Sequence, residues 1–157
     1  MSKSPLEVRF YHLTTTPLEK ALPKLLEKII SQGHRILILT DSEDQTESIA
    51  IQLWTYSPLS FLPHGTHKDG FEKDQPIFLT SLEENPNNAD ILIILNGKHP
   101  KFIETFTHCF YVFEDMENTK KLSAVEQWEN YQKQPYLLSY WMQKKDGSWE
   151  KTKEKNE

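Results

Sequence analysis

The 157-residue sequence contains one cysteine and five glycines, and these shortages exclude several classes of protein. A lone cysteine cannot form an internal disulfide, which excludes a small domain held together by disulfide bonds. Cys109 lies within the apolar run CFYVF, so we expect a buried structural residue and not a nucleophile. None of the glycines belongs to a GxGxxG or Gly-Lys-Ser/Thr pattern, which argues against a Rossmann-type cofactor or a phosphate-binding loop.

Long apolar runs are also missing, as is any surplus of positive charge. No stretch approaches the roughly 18 apolar residues of a membrane span, and the first ten residues (MSKSPLEVRF) lack the apolar core of a secretion signal. We therefore expect a cytoplasmic protein with no membrane contact. The 18 basic and 23 acidic residues give a formal net charge of -5, which argues against a domain held on DNA by counterion release. Contact with DNA is expected to be indirect, through another protein.

The sequence does contain an alternation of short apolar runs and segments with helical spacing. Strands are predicted at 8–13, 35–40, 76–80, 89–95 and 109–113, with an edge strand at 136–142, and helices at about 18–32, 43–56 and 119–132. This order predicts an α/β fold: a three-layer sandwich with a mainly parallel central sheet flanked by helices, resembling a nucleotide-binding (Rossmann-like) fold without the glycine-rich loop. Residues 1–150 are predicted to form a single domain and 151–157 a charged, mobile C-terminal tail.

Local patterns add details to this fold. Residues 16–19 (TPLE) predict a capping box at the first helix, whose first turn should be kinked at Pro23 unless the regular helix begins there. The connection between 80 and 89 is short for a parallel crossover, so one of the two strands beside it is expected to be irregular or at an edge. In the last helix, four residues are expected to lie roughly on one side: Leu122, Val125, Trp128 and Tyr131.

The places where chemistry would be expected hold no convincing site. The first two strand-to-helix turns, 13–17 and 39–43, contain no glycine that would let the backbone approach a phosphate. His64 and His67 lie in the long loop 57–75, but a structural zinc site usually has four ligands, so His64 is interpreted as a hydrogen-bonded loop histidine. We therefore expect no catalytic residue, no metal site and no cofactor.

An aromatic cluster remains at the end of the second helix and in the loop that follows. It comprises Trp54, Tyr56 and Phe61 and is followed by Pro63 and His64. Such a cluster is typical of a protein core, but aromatic residues on a loop are also the anchors of protein interfaces. The residues alone leave both interpretations open.

Residues 53–65 (LWTYSPLSFLPHG) resemble the block LW, a short turn and SFLPH that marks the chi subunit family of bacterial DNA polymerase III. Other segments resemble the family in the same order: FYHL near the start, GHRILIL, QPIFLT, ADILIIL, YVFE, and the late aromatic residues Trp128, Tyr131, Tyr140 and Trp141. The resemblance covers about residues 8–150. It implies an accessory subunit of the clamp-loader assembly, without catalysis of its own, that takes part in DNA replication.

In that family, chi pairs with the psi subunit through a surface that the resemblance places on Trp54, Phe61, Pro63 and His64. The partner at this surface is expected to be psi, or another clamp-loader or helicase protein. Docking there would tether the clamp loader to the lagging strand by raising the effective concentration of linked sites.

The resemblance also implies a second surface, which binds the acidic C-terminal tail of single-stranded DNA-binding protein. Its residues correspond to Lys121, Val125, Trp128 and Glu129. Family members best known for tail binding carry basic side chains at the positions of Val125 and Glu129, which suit an acidic peptide that ends in a carboxylate. We therefore expect weaker tail binding in this chain.

Two alternatives follow from the fold and the motif. One is a small nucleotide-dependent enzyme on a Rossmann-like fold. The other is an adaptor for a helicase partner with no clamp-loader role.

Overall fold

The computed structural model of the chain describes residues 5–55, 63–116 and 118–155. These residues form one seven-stranded sheet and three α-helices, with short 3-10 turns at Glu72–Asp74 and Ile103–Thr105. The elements, in chain order, are β1 (Glu7–Leu13), α1 (Leu18–Ser31), β2 (Ile36–Leu39), α2 (Glu43–Thr55), β3 (Ile77–Thr80), β4 (Ile91–Ile94), β5 (His108–Glu114), α3 (Asn118–Gln132), β6 (Leu137–Gln143) and β7 (Trp149–Lys155).

The strand order in the sheet is β3-β2-β4-β5-β1-β6-β7. Every neighbouring pair is parallel except β6 and β7, which are antiparallel. Both β3 and β4 pair with β2, on opposite sides, so the short connection between them crosses over one strand and leaves β3 at the edge of the sheet. The predicted α/β class with a mainly parallel sheet is confirmed.

The helices lie on both faces of the sheet and so form the outer layers of a three-layer sandwich. On one face, α1 and α2 contribute Leu26, Ile29, Ile49 and Leu53 to a core with the β2, β3 and β4 isoleucines. On the other face, α3 contributes Ala124, Trp128 and Tyr131 to a second core that contains Cys109. Burial raises the pKa of the Cys109 thiol, which agrees with the expected structural role of this residue.

The predicted C-terminal tail is not a separate segment in this structure. Residues 151–155 belong to β7, which pairs with β6 from Gln143–Trp149 to Leu138–Lys155. The predicted edge strand at 136–142 is therefore β6, with β1 on one side and β7 on the other. After Trp149, the composition of β7 (WEKTKEK) gives no apolar signal, because the pairing of these residues depends on backbone hydrogen bonds and not on a buried face.

The start of α1 also differs from the prediction. The N-cap is Pro17, which makes no side-chain cap hydrogen bond, so the predicted capping box at 16–19 is wrong. The Leu18 backbone N–H instead donates to Glu114 Oε2 at 3.1 Å, and a carboxylate there also complements the positive end of the helix dipole. The helix begins at Leu18 and continues through Pro23, whose ring is buried.

The buried side of α3 is not the one that the spacing predicted. Leu122 is 70% exposed and Val125 is 52% exposed, whereas Ala124, Trp128 and Tyr131 are buried. A spacing of three residues falls short of the 3.6 residues in a helical turn, so the line from residue 122 to residue 131 rotates around the helix. The buried set follows the alternation of four and three residues that keeps one face toward the core.

One buried side chain closes the turn between β1 and α1. The Gln143 Oε1 atom accepts hydrogen bonds from three backbone N–H groups, those of Thr14 at 3.2 Å, Thr15 at 3.0 Å and Thr16 at 3.0 Å. The Gln143 Nε2 atom donates to Thr16 Oγ1 at 2.7 Å. These bonds attach the end of β6 to the start of the first helix.

The Gln143→Leu variant should be less stable than the wild type by about 1–3 kcal/mol, since it leaves these turn N–H groups without their acceptor in a partly buried site. Gln143→Glu keeps an acceptor oxygen and should lose clearly less. Urea unfolding of the three proteins measures the difference. Equal midpoints for all three would show that water replaces the glutamine at no cost.

Candidate functional site

The outer side of α2 carries an exposed apolar surface at its C-terminal end. Ile51 is 63% exposed and Trp54 is 54% exposed, and the two lie three residues apart on one side of the helix. The rotation of the helix about its axis is fixed by Ala50 and Leu53, which are buried against the sheet. We call the exposed pair, together with the neighbouring Pro63 and His64, the α2 surface.

His64 supports this surface from below. It is buried, and its ring centroid lies 4.5 Å from that of Trp54. Its Nε2 atom lies 3.0 Å from the Ala50 carbonyl oxygen, which can only accept, so Nε2 carries the proton and donates. The hydrogen-bonded role expected for His64 is confirmed. Phe61, which was predicted for the same surface, lies outside the described residues.

The residues after His64 are attached to the sheet. The Gly65 N–H donates to the Ile77 carbonyl oxygen, and the Leu79 N–H donates to the Gly65 carbonyl oxygen, each at 3.0 Å. A Cβ atom at position 65 would lie 2.7 Å from Gln75 Cδ, so a larger residue there would require the Gln75 side chain to move. The two backbone hydrogen bonds attach the segment after His64 to β3.

The four residues predicted for tail binding lie together on α3, but at different depths. Lys121, Val125 and Glu129 follow one another at four-residue spacing and form one row on the helix, which we call the α3 row. Val125 and Glu129 are exposed, and Lys121 is partly exposed. Trp128 is 7% exposed and packs edge-on against Phe10 and Tyr140, with ring centroids 5.3 and 5.6 Å away. Its indole belongs mainly to the core.

Lys121 is held by a chain of polar contacts that begins in the core. Its Nζ atom lies 3.0 Å from Asp115 Oδ1, and the same oxygen lies 2.7 Å from Nε2 of the buried His12. The other ring nitrogen of His12 lies 2.9 Å from the Tyr140 hydroxyl. Lys121 and His12 hold the pKa of the Asp115 carboxyl below its usual range, and burial raises the pKa of Tyr140 to about 12. Sequence spacing could not reveal this chain of contacts, because its members come from three different elements and the turn after β5.

Two lysines of β7 reach opposite faces of the sheet. The pairing of β7 with β6 shifts between Tyr140 and Trp141, so that Tyr140 faces Lys153 and Trp141 faces Lys151. An irregularity of this kind redirects side chains that would otherwise share one face. Lys153 Nζ lies 4.9 Å from the Tyr140 ring centroid and 5.5 Å from that of Trp128, whereas Lys151 Nζ lies 5.8 Å from that of Trp141. The sequence prediction missed both lysines because it assigned them to the tail.

The turn where a nucleotide-binding fold would hold a phosphate is occupied by the protein itself. The N–H groups of residues 14–16 bind Gln143, and the N–H of Leu18 binds Glu114. Within the described residues, no three His, Cys, Asp or Glu side chains are grouped in a way that could hold a metal ion. None of the helices in the same part of the chain is long and apolar enough to cross a membrane.

Comparison with known proteins connects these surfaces to a family. The sequence profile of the DNA polymerase III chi subunit, HolC, matches residues 6–139. A probable DNA polymerase III subunit chi of Rickettsia prowazekii (strain Madrid E) is 33% identical over 119 residues, which cover 71% of this chain and 72% of the relative. The span matched by the profile includes the α2 surface and the α3 row. The chain belongs to the DNA polymerase III chi subunit family.

Proposed function

We propose that this member of the chi family works in DNA replication as a linker, which joins the clamp loader, through psi or an equivalent protein, to single-stranded DNA-binding protein on the lagging strand. The observation that carries the proposal is the α2 surface. There, Trp54 of the LW pair is exposed beside Ile51 on a helix that is packed on the sheet, and the buried His64 lies against its ring.

The α2 surface has the properties of a protein-docking site. Ile51 and Trp54 are large and apolar, and they project from a helix whose opposite side is packed on the sheet. A rigid aromatic side chain presented in this way loses little conformational freedom on binding, and tryptophan is enriched among residues that dominate binding energies. The hydrogen bond from His64 to the α2 backbone fixes the support beneath the indole.

The α3 row is the proposed site for the acidic tail of single-stranded DNA-binding protein. The row runs from a cation through an apolar residue to an anion, since Lys121, Val125 and Glu129 succeed one another. Lys121 is already paired with Asp115, so a peptide carboxylate must compete with that bond. Lys153, whose Nζ atom lies 5.5 Å from the Trp128 ring centroid, is a second cation beside the same part of α3. The arrangement supports binding that is weaker than in a row of basic residues.

The geometry does not favour the alternative of a nucleotide-dependent enzyme. A phosphate at the first strand-to-helix turn would need free backbone N–H groups, and in this turn they are bonded to Gln143 and Glu114. The Glu114 carboxylate would also repel a phosphate. The proposed function therefore involves no catalytic step.

Trp54→Ala should weaken binding of the psi subunit, or of the clamp loader from the same bacterium, by about 2 kcal/mol or more if Trp54 is an interface anchor. Its stability should change little, because the indole is about half exposed. Isothermal titration calorimetry measures the affinity, and thermal unfolding of the same samples measures stability.

Leu82→Ala is the matched control for the α2 surface, because Leu82 is 60% exposed and lies in the connection after β3. It should bind the partner like the wild type. A Trp54→Ala protein that captures the partner normally, or that loses stability in place of affinity, would assign the tryptophan to the core.

Glu129→Lys and Val125→Arg should each strengthen binding of an acidic peptide that ends in an aromatic residue and a free carboxylate, since each adds positive charge to the α3 row. Lys121→Ala should weaken it. The expected changes are on the order of threefold to tenfold at low salt, as for charge contacts at a partly exposed site, and they should shrink as salt is added. Titration of the fluorescently labelled peptide measures them.

Glu43→Lys is the matched control, because Glu43 is an exposed residue in the first turn of α2 and its replacement changes the net charge by the same amount as Glu129→Lys. It should leave peptide affinity unchanged. If Lys121→Ala and Glu129→Lys also leave it unchanged, the tail binds elsewhere on the protein.

A further inference from the structure

Part of the sheet face that carries α1 has no helix over it. Beyond α1, the outward residues of β1, β6 and β7 form the floor of a groove with a cavity of about 520 Å³, and α1 forms its wall. We call it the α1 groove. The groove lies on the opposite face of the sheet from α3, so it is separate from the α3 row. It is also separate from the α2 surface, which lies on a different helix.

The floor of the α1 groove is aromatic. Tyr11 of β1 contacts both Trp141 of β6 and Trp149 of β7, with ring centroids 6.3 Å and 5.1 Å away. The Tyr11 and Trp141 rings are nearly parallel, at 23°, whereas the Tyr11 and Trp149 rings meet edge-on, at 80°. All three side chains are partly exposed, and Trp141 is fixed by a 3.0 Å hydrogen bond from its Nε1 to Ser139 Oγ. Partly exposed aromatic rings that are held in place offer surfaces on which nucleic acid bases stack.

The wall of the α1 groove is basic. Lys20, Lys24 and Lys28 recur every four residues, so they form one row along α1, and all three are exposed and line the groove. Arg9 lines it from β1, where its Nε atom is paired with Glu7 Oε2 at 2.6 Å, and Asp146 carries the single carboxylate among the described lining residues. Within the described part of the chain, none of the three α1 lysines forms an ion pair. Like charges at this spacing destabilise a helix slightly, and an anion along the row would relieve the repulsion.

We propose that the α1 groove binds single-stranded nucleic acid, with bases stacked on the aromatic floor and phosphates along the lysine row. Helical geometry separates successive lysines of the row by about 6 Å along the axis, which is similar to the spacing of phosphates in an extended strand. The net charge of the chain predicted indirect contact with DNA, but the fold gathers these cations on one side of an acidic protein. An acidic peptide would use the lysines but would leave most of the three-ring floor uncovered, so the nucleic acid fits better.

The test is fluorescence anisotropy with the full chain and a labelled oligothymidylate of about 15 nucleotides, within the usual site size of such grooves. The groove variant carries Lys20→Ala, Lys24→Ala and Lys28→Ala. It should bind at least tenfold more weakly at low salt, and the slope of log affinity against log salt should fall by about 2, since each phosphate contact on a single strand contributes about 0.7. Trp149→Ala should weaken binding about fivefold or more with the slope unchanged, because it removes stacking and not charge.

The matched control carries Lys73→Ala, Lys98→Ala and Lys101→Ala, three exposed lysines outside the groove, and has the same net charge as the groove variant. It should bind the oligonucleotide like the wild type. Thermal unfolding shows whether each variant is folded. If Trp149→Ala does not fold, the comparison of the two triple-lysine variants tests the proposal by itself. The proposal is overturned by absence of binding at low salt, by equal loss in the control variant, or by an acidic peptide that depends on the groove lysines when the oligonucleotide does not.

Discussion

Three helices cannot cover both faces of a seven-stranded sheet, and the surface of this protein follows from that constraint. On one face, α1 and α2 pack on a core that contains isoleucines of β2, β3 and β4. The fold places α3 over the middle of the other face, where Phe10, Tyr111 and Tyr140 form an aromatic core. The remaining sheet surface must be acceptable to water, and there the strands carry amphipathic residues such as Tyr11 and Trp141.

The central strands could be predicted from sequence because each is buried on both faces, so an apolar run without alternation is sufficient evidence. The alternation of these runs with helical segments also predicted the layers. For β7 no such evidence exists, since its lysines and glutamates resemble those of a solvated tail. Its position depends on pairing with β6, which is a long-range property of the folded chain.

The candidate sites, like the strands, could be predicted from the sequence only in part. The resemblance to the family identified Trp54 and Pro63, but composition could not decide whether they belong to the core or to an interface. The buried residues of α2 fix the orientation of the helix, and this orientation places Trp54 on the outer side. On α3 the predicted residues do lie together, yet Trp128 is mainly a core residue, because the true buried face rotates away from the three-residue spacing. The link from His12 through Asp115 to Lys121 joins positions that are distant in sequence, so no local pattern reports it.

The two edge strands of the sheet, β3 and β7, limit how a partner can attach to it. On one border, β3 is partly covered by the short bridge from Gly65 to Phe78. On the other, β7 is the last strand of the described sheet and carries lysine or glutamate at most of its positions. Charged border strands resist the addition of a further strand, which is the usual route to edge-to-edge aggregation. A partner peptide is therefore not expected to extend the sheet: it must be recognised by side chains on helices and sheet faces, and its own backbone stays free to pair elsewhere.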